Sequence, residues 1–343
     1  MTPCVPKETL RRVPDEGANV AAARDGDADA FAALVAPYRR ELRAYCYRMA
    51  GSVDEADDLL QESLVRAWRG LASFEGRASV RTWLYRVTWS ACIDALERRP
   101  PRKLAVDAGP PADPRDPMPP PEPDGWIGPC PASLYADAGS PEARISQRES
   151  VALAFLAALQ LLAPKQRATL LACDVLGWSA QECAELLGAS TASVTSALQR
   201  ARETLEGRAA RWRPALPDEP TTRTLLARYV RAWEQADVTA LVSLLREDAT
   251  LAMPPLPLWL LGPRAIGESI GAMVLVPAAR GAFRFVHTEA NGLPALAAYA
   301  RGEGEAFEPM ALHVLSLEGD RVTAITAFMD RRMYASFELP ARV

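Results

Sequence analysis

Histidine is nearly absent from this 343-residue chain, which holds two. The six cysteines, at positions 4, 46, 92, 130, 173 and 183, include no CxxC pair. These shortages argue against a zinc site or any other metal centre, and no cofactor-binding motif stands in for one. Free thiols in a reducing cytoplasm are the simplest account of the cysteines. Long apolar runs are missing too, so no membrane span is expected. The first residues, MTPCVPKETLRRVPDEG, lack the apolar core of a signal peptide, and a cytoplasmic location is expected. Excess charge of either sign is the last absence: 39 basic against 43 acidic residues give a net charge of −4. Phosphate neutralisation supplies most non-specific DNA affinity, so such a chain should bind free DNA weakly. If DNA is its ligand, a basic partner must supply part of the electrostatics.

The composition changes in blocks. Residues 1–19 read as a flexible tail. Residues 20–99 read as helical, with 12 basic and 12 acidic side chains in balance. Residues 100–145 are proline-dense, as in PPADPRDPMPPPEPDGWIGPCP, and read as a linker. Trp126 and Ile127 are out of place in an exposed linker and are expected to dock on a neighbouring domain. Residues 146–213 form a second helical block. Pro214, Pro217 and Pro220 mark a boundary, and 214–343 form a block of another kind. It opens with helical patterns at 225–233 and 239–245. Strand-like runs follow at 249–253, 283–288, 295–301, 310–318 and 322–330, with a hairpin turn at Gly319-Asp320. Helices followed by an antiparallel sheet give an α+β domain.

Within 146–213, GWSAQECAELLGASTASVTSALQRAR (177–202) reads as two short helices around a tight turn. Cys183, Ala184, Leu186 and Leu187 mark the buried face of the first helix, and Gly188 ends it. Ser190 or Thr191 caps the second, which carries an apolar stripe at Val194, Leu198, Ala201 and Leu205. Its other face shows Ser193, Thr195, Ser196, Gln199, Arg200 and Arg202, all able to hydrogen-bond to bases or phosphates. This is the layout of a DNA-reading helix-turn-helix, although an ordinary helical hairpin would give the same stripe. In the first block, DEADDLLQESLVRAW (54–68) has an apolar face at Ala56, Leu60, Ser63 and Ala67. Asp54, Glu55, Asp57, Asp58, Gln61 and Glu62 crowd the polar side. Five carboxylates in nine residues exceed what a helix N-terminus needs, and suit docking of a basic partner. Downstream, Trp83, Tyr85 and Trp89 interleave with Arg77, Arg81 and Arg86, and Arg98-Arg99 close the run. Rings beside cations suit stacked single-stranded bases, and each ring could equally belong to the core.

Taken together, these motifs resemble the extracytoplasmic-function sigma factors of the sigma-70 family. DEADDLLQE is similar to region 2.2, which docks on the β′ clamp helices of RNA polymerase core. The resemblance gives that role to Asp57, Asp58, Gln61 and Glu62. TWLYRVTWSACIDALERR is similar to regions 2.3 and 2.4, which melt and read the minus-ten element. It implies DNA contacts from Arg81, Trp83, Tyr85, Arg86, Trp89, Ser90, Asp94, Arg98 and Arg99. The helix-turn-helix is similar to region 4, which reads the minus-thirty-five element and meets the β flap; Ser193, Thr195, Ser196, Gln199, Arg200 and Arg202 would touch DNA. Ser90 stands where the family usually has Asn, and Thr195 and Ala197 where it often has basic residues, which bears on promoter sequence. The resemblance implies a fold of two all-α sigma domains, a region 2 bundle and a region 4 helix-turn-helix. Dependence on core accounts for the near-neutral charge.

Residues 221–343 resemble a SnoaL-like domain of the nuclear transport factor 2-like kind, a cone of helices around a curved sheet. The resemblance rests on AWEQADVTALVSLLREDATLAMPP and on the FMD ending at Asp330. It implies a regulatory extension acting on the sigma domains, directly or through the linker, and an apolar pocket with Trp259, His287, Asn291, Tyr299, His313 and Asp330 as candidate polar groups. Asp330 could be a general acid or base only if burial raised its pKa. The expectation is a promoter-recognition subunit with no catalytic activity. The rivals are a one-component DNA-binding regulator with a ligand domain and, more remotely, a cyclase or isomerase with helical appendages.

Overall fold

The computed structural model describes residues 16–122, 124–135, 148–206, 217–302 and 304–343. The N-terminal tail through 15, linker residues 136–147 and the Pro214 boundary lie outside the described residues. The chain divides into two compact units, residues 1–102 with 133–210, and 103–132 with 211–343.

The first unit is all helical. Its first half runs α1 (Glu16–Arg24), α2 (Ala28–Val35), α3 (Arg39–Ala50), α4 (Val53–Gly70) and α5 (Val80–Leu96). Each start has a local cause. The Asp27 carboxylate accepts from the Asp29 and Ala30 amides, Ser52 from Glu55, and Ser79 from Thr82, so each satisfies an orphan donor of a first turn. Gly51 ends α3 at φ 75°, a conformation that lets α4 begin two residues later. Ala56, Leu59, Leu60, Ser63 and Ala67 of α4 are buried, as their spacing predicts.

The second half runs α6 (Leu153–Gln160), α7 (Pro164–Leu170), a π-helical turn (Leu171–Val175), α8 (Ala180–Leu187) and α9 (Thr191–Leu205). Ser179 and Glu182 cap α8 reciprocally, Gly188 closes it at φ 61°, and the Ser190 hydroxyl accepts from the Ser193 amide to start α9. Val194, Leu198, Ala201 and Leu205 are the buried stripe of α9.

This half packs on α3 and α5 through an unusual polar centre. Arg167, 3% exposed, reaches the carbonyl oxygens of Met49, Gln160 and Leu162 and the Gln160 side-chain oxygen. Those carbonyls lie at or just beyond the C-termini of α3 and α6, where a helix leaves acceptors unpaired and carries partial negative charge. One guanidinium thus serves two helix ends. Beside it, Arg48 donates to the Ser150 hydroxyl at 2.9 Å, also buried.

The second unit is α+β. Helices α10 (Glu219–Glu234) and α11 (Val238–Val242) lead into β1 (Leu245–Ala252), β2 (Trp259–Leu261), α12 (Gly262–Met273), β3 (Phe283–Ala290), β4 (Leu293–Arg301), β5 (Phe307–Glu318), β6 (Arg321–Phe328) and α13 (Met333–Ser336). The sheet order is β2-β1-β6-β5-β4-β3. Among the described strand pairs of this sheet, β1 with β6 is parallel and the others are antiparallel. Glu318 faces Arg321 across the tight turn at Gly319-Asp320. This is the expected cone, with additions the sequence pattern did not suggest: the edge strand β2 and helix α12.

The segment read as a linker is in part a strap on this unit. Lys103 and Trp126 pair in parallel, and the Ala112 amide donates to the Trp259 carbonyl, the Glu122 amide to that of Pro255. Trp126, with Ala105, Ala252 and Trp259, forms a small apolar cluster. Its indole N–H donates to the Glu122 carbonyl at 2.7 Å, and the Lys103 ammonium sits 4.9 Å from its ring centre. Prolines make such a strap inexpensive to order, because their φ is already fixed.

Candidate nucleic-acid interface

Three surfaces of the first unit carry the residues singled out in the sequence. On α9, Ser193, Thr195, Ser196, Gln199, Arg200 and Arg202 are all exposed above the buried stripe. Most already have local partners. The Thr195 hydroxyl donates to the Thr191 carbonyl, Gln199 to Glu203, and Arg202 forks onto Asp174 at 2.6 and 3.1 Å. That fork raises the Arg202 pKa and ties the C-terminal part of α9 to the turn before α8.

On α4, Asp57, Asp58, Gln61 and Glu62 are exposed. Asp57 is held by Arg43 in a bidentate pair. Glu62 accepts from Arg66, which also holds Asp94. Asp57 and Gln61 line an open groove with Phe31, Leu64, Val65 and Trp68. The Phe31 and Trp68 rings meet edge to face at 5.1 Å, and Trp68 remains 36% exposed. Acidic and amide groups beside exposed apolar side chains form a surface suited to a protein partner.

The nine residues of the minus-ten set separate. Arg86, Ser90, Asp94, Arg98 and Arg99 are exposed. Tyr85 and Trp89 are not: they are 2% and 3% exposed, and their hydroxyl and indole N–H lack partners among the described residues. The expectation that these two rings stack on bases is corrected for this conformation, because both belong to the core of the unit. Burial pushes the Tyr85 hydroxyl pKa well up. Trp83 leans on Phe74 at 5.0 Å, and Arg81 forks onto Glu41 with both contacts at 2.9 Å.

Part of what covers this face is the second helical half of the unit. Tyr85 lies edge-on to Trp178 at 5.0 Å, and Arg81 stands over the same indole. Arg86 donates to the carbonyls of Leu186 and Glu185 at 3.1 and 2.8 Å, at the C-terminus of α8. Arg99 pairs instead with Glu55. Sequence reasoning missed Trp178 and Arg167, because Tyr85 lies 93 positions from the first and Met49 lies 118 from the second.

The six candidate pocket residues of the second unit do not converge. His313 is buried in a cage of Tyr229, Trp233 and Phe285, and its Nδ1 lies 2.9 Å from the Tyr229 hydroxyl. Tyr229 and Trp233 belong to the buried core of the second unit, and Phe285 packs against it. His287 lies in the same cross-strand row, through Leu296, yet is exposed. Tyr299 donates to the Pro340 carbonyl, Asn291 accepts from the Cys130 amide, and the Trp259 indole donates to the Gly109 carbonyl. Asp330 forks onto Arg332, which holds its carboxyl below the usual range. A general acid needs the opposite shift, so the condition set for Asp330 is not met.

With this geometry in view, comparisons with known proteins converge. The Sigma-70 region 2 model matches residues 34–100, and the Sigma-70, region 4 model matches 152–205. The ECF RNA polymerase sigma factor SigG of Mycobacterium tuberculosis is 43% identical, over 97% of this chain and 91% of that protein. SigM of the same species is 32% identical over 52% of this chain and 77% of that protein. The crystal structure of the Mycobacterium tuberculosis extracytoplasmic function sigma factor SigJ shares the fold, with a TM-score of 0.55 at 21% identity over 90% of this chain and 99% of that one. The chain belongs to the ECF RNA polymerase sigma factors. It is a promoter-directing subunit of transcription initiation, and the one-component regulator is not favoured. No helix among the described residues is long and apolar enough to cross a membrane.

Proposed function

We propose that this sigma factor docks on polymerase core through the α4 groove, reads the minus-thirty-five element with α9, and engages the minus-ten element with the exposed side of α5. The observation that carries the reading is α9, where six hydrogen-bonding side chains stand exposed on a helix whose opposite stripe is buried. Asp57, Asp58, Gln61 and Glu62 hold the β′ clamp helices, with Trp68 and Val65 as the apolar part of the contact. Arg86, Ser90, Asp94, Arg98 and Arg99 meet DNA directly. Arg81, Trp83, Tyr85 and Trp89 support them, and Arg86 becomes available when α8 leaves α5. The C-terminal domain acts as a non-catalytic regulator. The buried pairing of His313 with Tyr229 and the fork of Arg332 on Asp330 support that role over turnover.

Reconstituted holoenzyme tests the two docking surfaces separately. Asp58→Arg should lower affinity for core at least about tenfold, equivalent to roughly 1.4 kcal/mol, read by co-purification. Arg200→Ala should leave co-purification intact and weaken promoter binding by about 1–3 kcal/mol if it makes a bidentate base contact. Unchanged core binding by the first variant removes the α4 surface from the reading. Unchanged promoter affinity in the second removes Arg200.

A further inference from the structure

Two sulfurs in the first unit stand close together in a place that the docking and DNA surfaces do not use. Cys173 lies in the π-helical turn after α7, and Cys183 on the inner face of α8. Their Sγ atoms are 3.4 Å apart. Cys183 is fully buried, whereas Cys173 is partly exposed. A second pair, Cys46 and Cys92, lies 3.9 Å apart with both residues sealed in the core. The difference in access decides which pair an oxidant reaches. A disulfide needs its sulfurs about 2.0 Å apart, so the exposed pair must close by about 1.4 Å.

The surroundings of Cys173 suit the attacking thiolate. The hydrogen bond shared with the Cys183 sulfur lowers the Cys173 pKa, and the Arg202 cation adds to the effect, against burial, Asp174 and Glu182. Thiolate character combined with exposure is what makes one cysteine react before its neighbours.

We propose that Cys173 and Cys183 are an oxidisable dithiol that hydrogen peroxide closes to a disulfide. The Cys173 thiolate attacks the peroxide, the O–O bond breaks, and water leaves once a proton is taken up, giving a sulfenic acid. Cys183 then attacks that sulfur. The S–S bond forms as the sulfenic hydroxyl departs with the Cys183 proton as a second water. Two thiols and one peroxide become one disulfide and two waters, with two electrons passing from sulfur to oxygen. The new ring would enclose Gly177 and Trp178, the residue that lies on Tyr85. It would also join the turn that holds Arg202, through Asp174, to α8. The chemistry stands on the two thiols alone; only its bearing on promoter use rests on the reading of α8 and α9 given above.

The test treats the full-length protein with hydrogen peroxide, alkylates it in denaturant with iodoacetamide, and digests it with trypsin. Residues 168–200 form one tryptic peptide holding both cysteines and no others. It should emerge unalkylated and about 2 Da light for the two hydrogens lost, with dithiothreitol restoring two alkylation sites. Cys46 and Cys92 should remain alkylated. In Cys183→Ser protein, Cys173 should stop at the sulfenic acid and be captured by dimedone. A peptide that keeps two alkyl groups after peroxide overturns the proposal, as does overoxidation of Cys173 with Cys183 still alkylated. The readout involves neither polymerase nor DNA, so it fails independently of the promoter reading.

Discussion

Arg167→Met should destabilise the first unit by about 3 kcal/mol, seen as a lower urea midpoint with an unchanged slope. Four buried acceptors lose their donor: three backbone carbonyls and the Gln160 side-chain oxygen. At about 1.5 kcal/mol each for a bond to a charged donor, the gross loss is about 6 kcal/mol. Against this, burial lowers the Arg167 pKa from 12.5 to about 10, so the wild-type fold bears about 3 kcal/mol for keeping the charge, which methionine relieves. The lost bonds win. Arg167→Lys keeps the charge but not the planar fork, and should recover less than half of the difference. A loss below about 1 kcal/mol in the methionine variant would mean that water or a shifted side chain satisfies the carbonyls, and that Arg167 does not hold the two helical halves together.

The second large effect depends on pH. His313 is fully buried, and desolvation lowers its pKa from 6.5 to about 4. In the folded state the ring therefore stays neutral across that range, whereas in the unfolded chain it takes up a proton below about pH 6.5. Between those values the unfolded state binds the extra proton, so stability falls as pH falls, by about 1.4 kcal/mol per pH unit. The loss is absent above about pH 7. It reaches roughly 2 kcal/mol at pH 5 and levels off near 3 kcal/mol below pH 4. His313→Gln keeps a hydrogen-bonding partner for Tyr229 without a titrating ring. Unfolding of both proteins should be measured at pH 7 and pH 5. The stability difference between them should shift by about 2 kcal/mol in favour of the variant on acidification. Equal differences at the two pH values would show that His313 is not the residue that makes the C-terminal domain acid-sensitive.

Much of the first unit was legible because its signals are local. Ser179, Gly188 and Ser190 delimit the helix-turn-helix within a few residues, and the stripe from Val194 to Leu205 has helical spacing alone. The acidic face of α4 and the turn at Gly319-Asp320 are equally short-range. What escaped depends on distant neighbours. Residues 253–261, MPPLPLWLL, read as an apolar run that lines the pocket or packs on the sigma domains, yet Trp259 to Leu261 pair with β1 as an edge strand. The aromatic residues of α5 could be exposed or buried by pattern, and Tyr85 is buried partly because Trp178, 93 positions on, lies over it. The six candidate pocket residues were chosen by chemistry from separate strands and loops. Alternation tells which side of its strand a residue occupies but not which strands are neighbours, so it could not show that Asp330 would meet Arg332 and His313 the Tyr229 hydroxyl.

The strap has a further consequence, which concerns reach. Promoter elements at minus ten and minus thirty-five are about 25 base pairs apart, roughly 85 Å along B-form DNA at about 3.4 Å per step. In this structure the helix assigned to the minus-ten element, α5, meets the C-terminal end of α8, the helix that precedes α9, through Arg86. To span the promoter, the chain joining the two halves must lengthen. Residues 103–132, folded onto the second unit, hold roughly 100 Å of fully extended backbone in store. On the proposed reading of α5 and α9, release of that segment from the second unit would add to the distance at which one polypeptide can hold its two points of contact on a promoter.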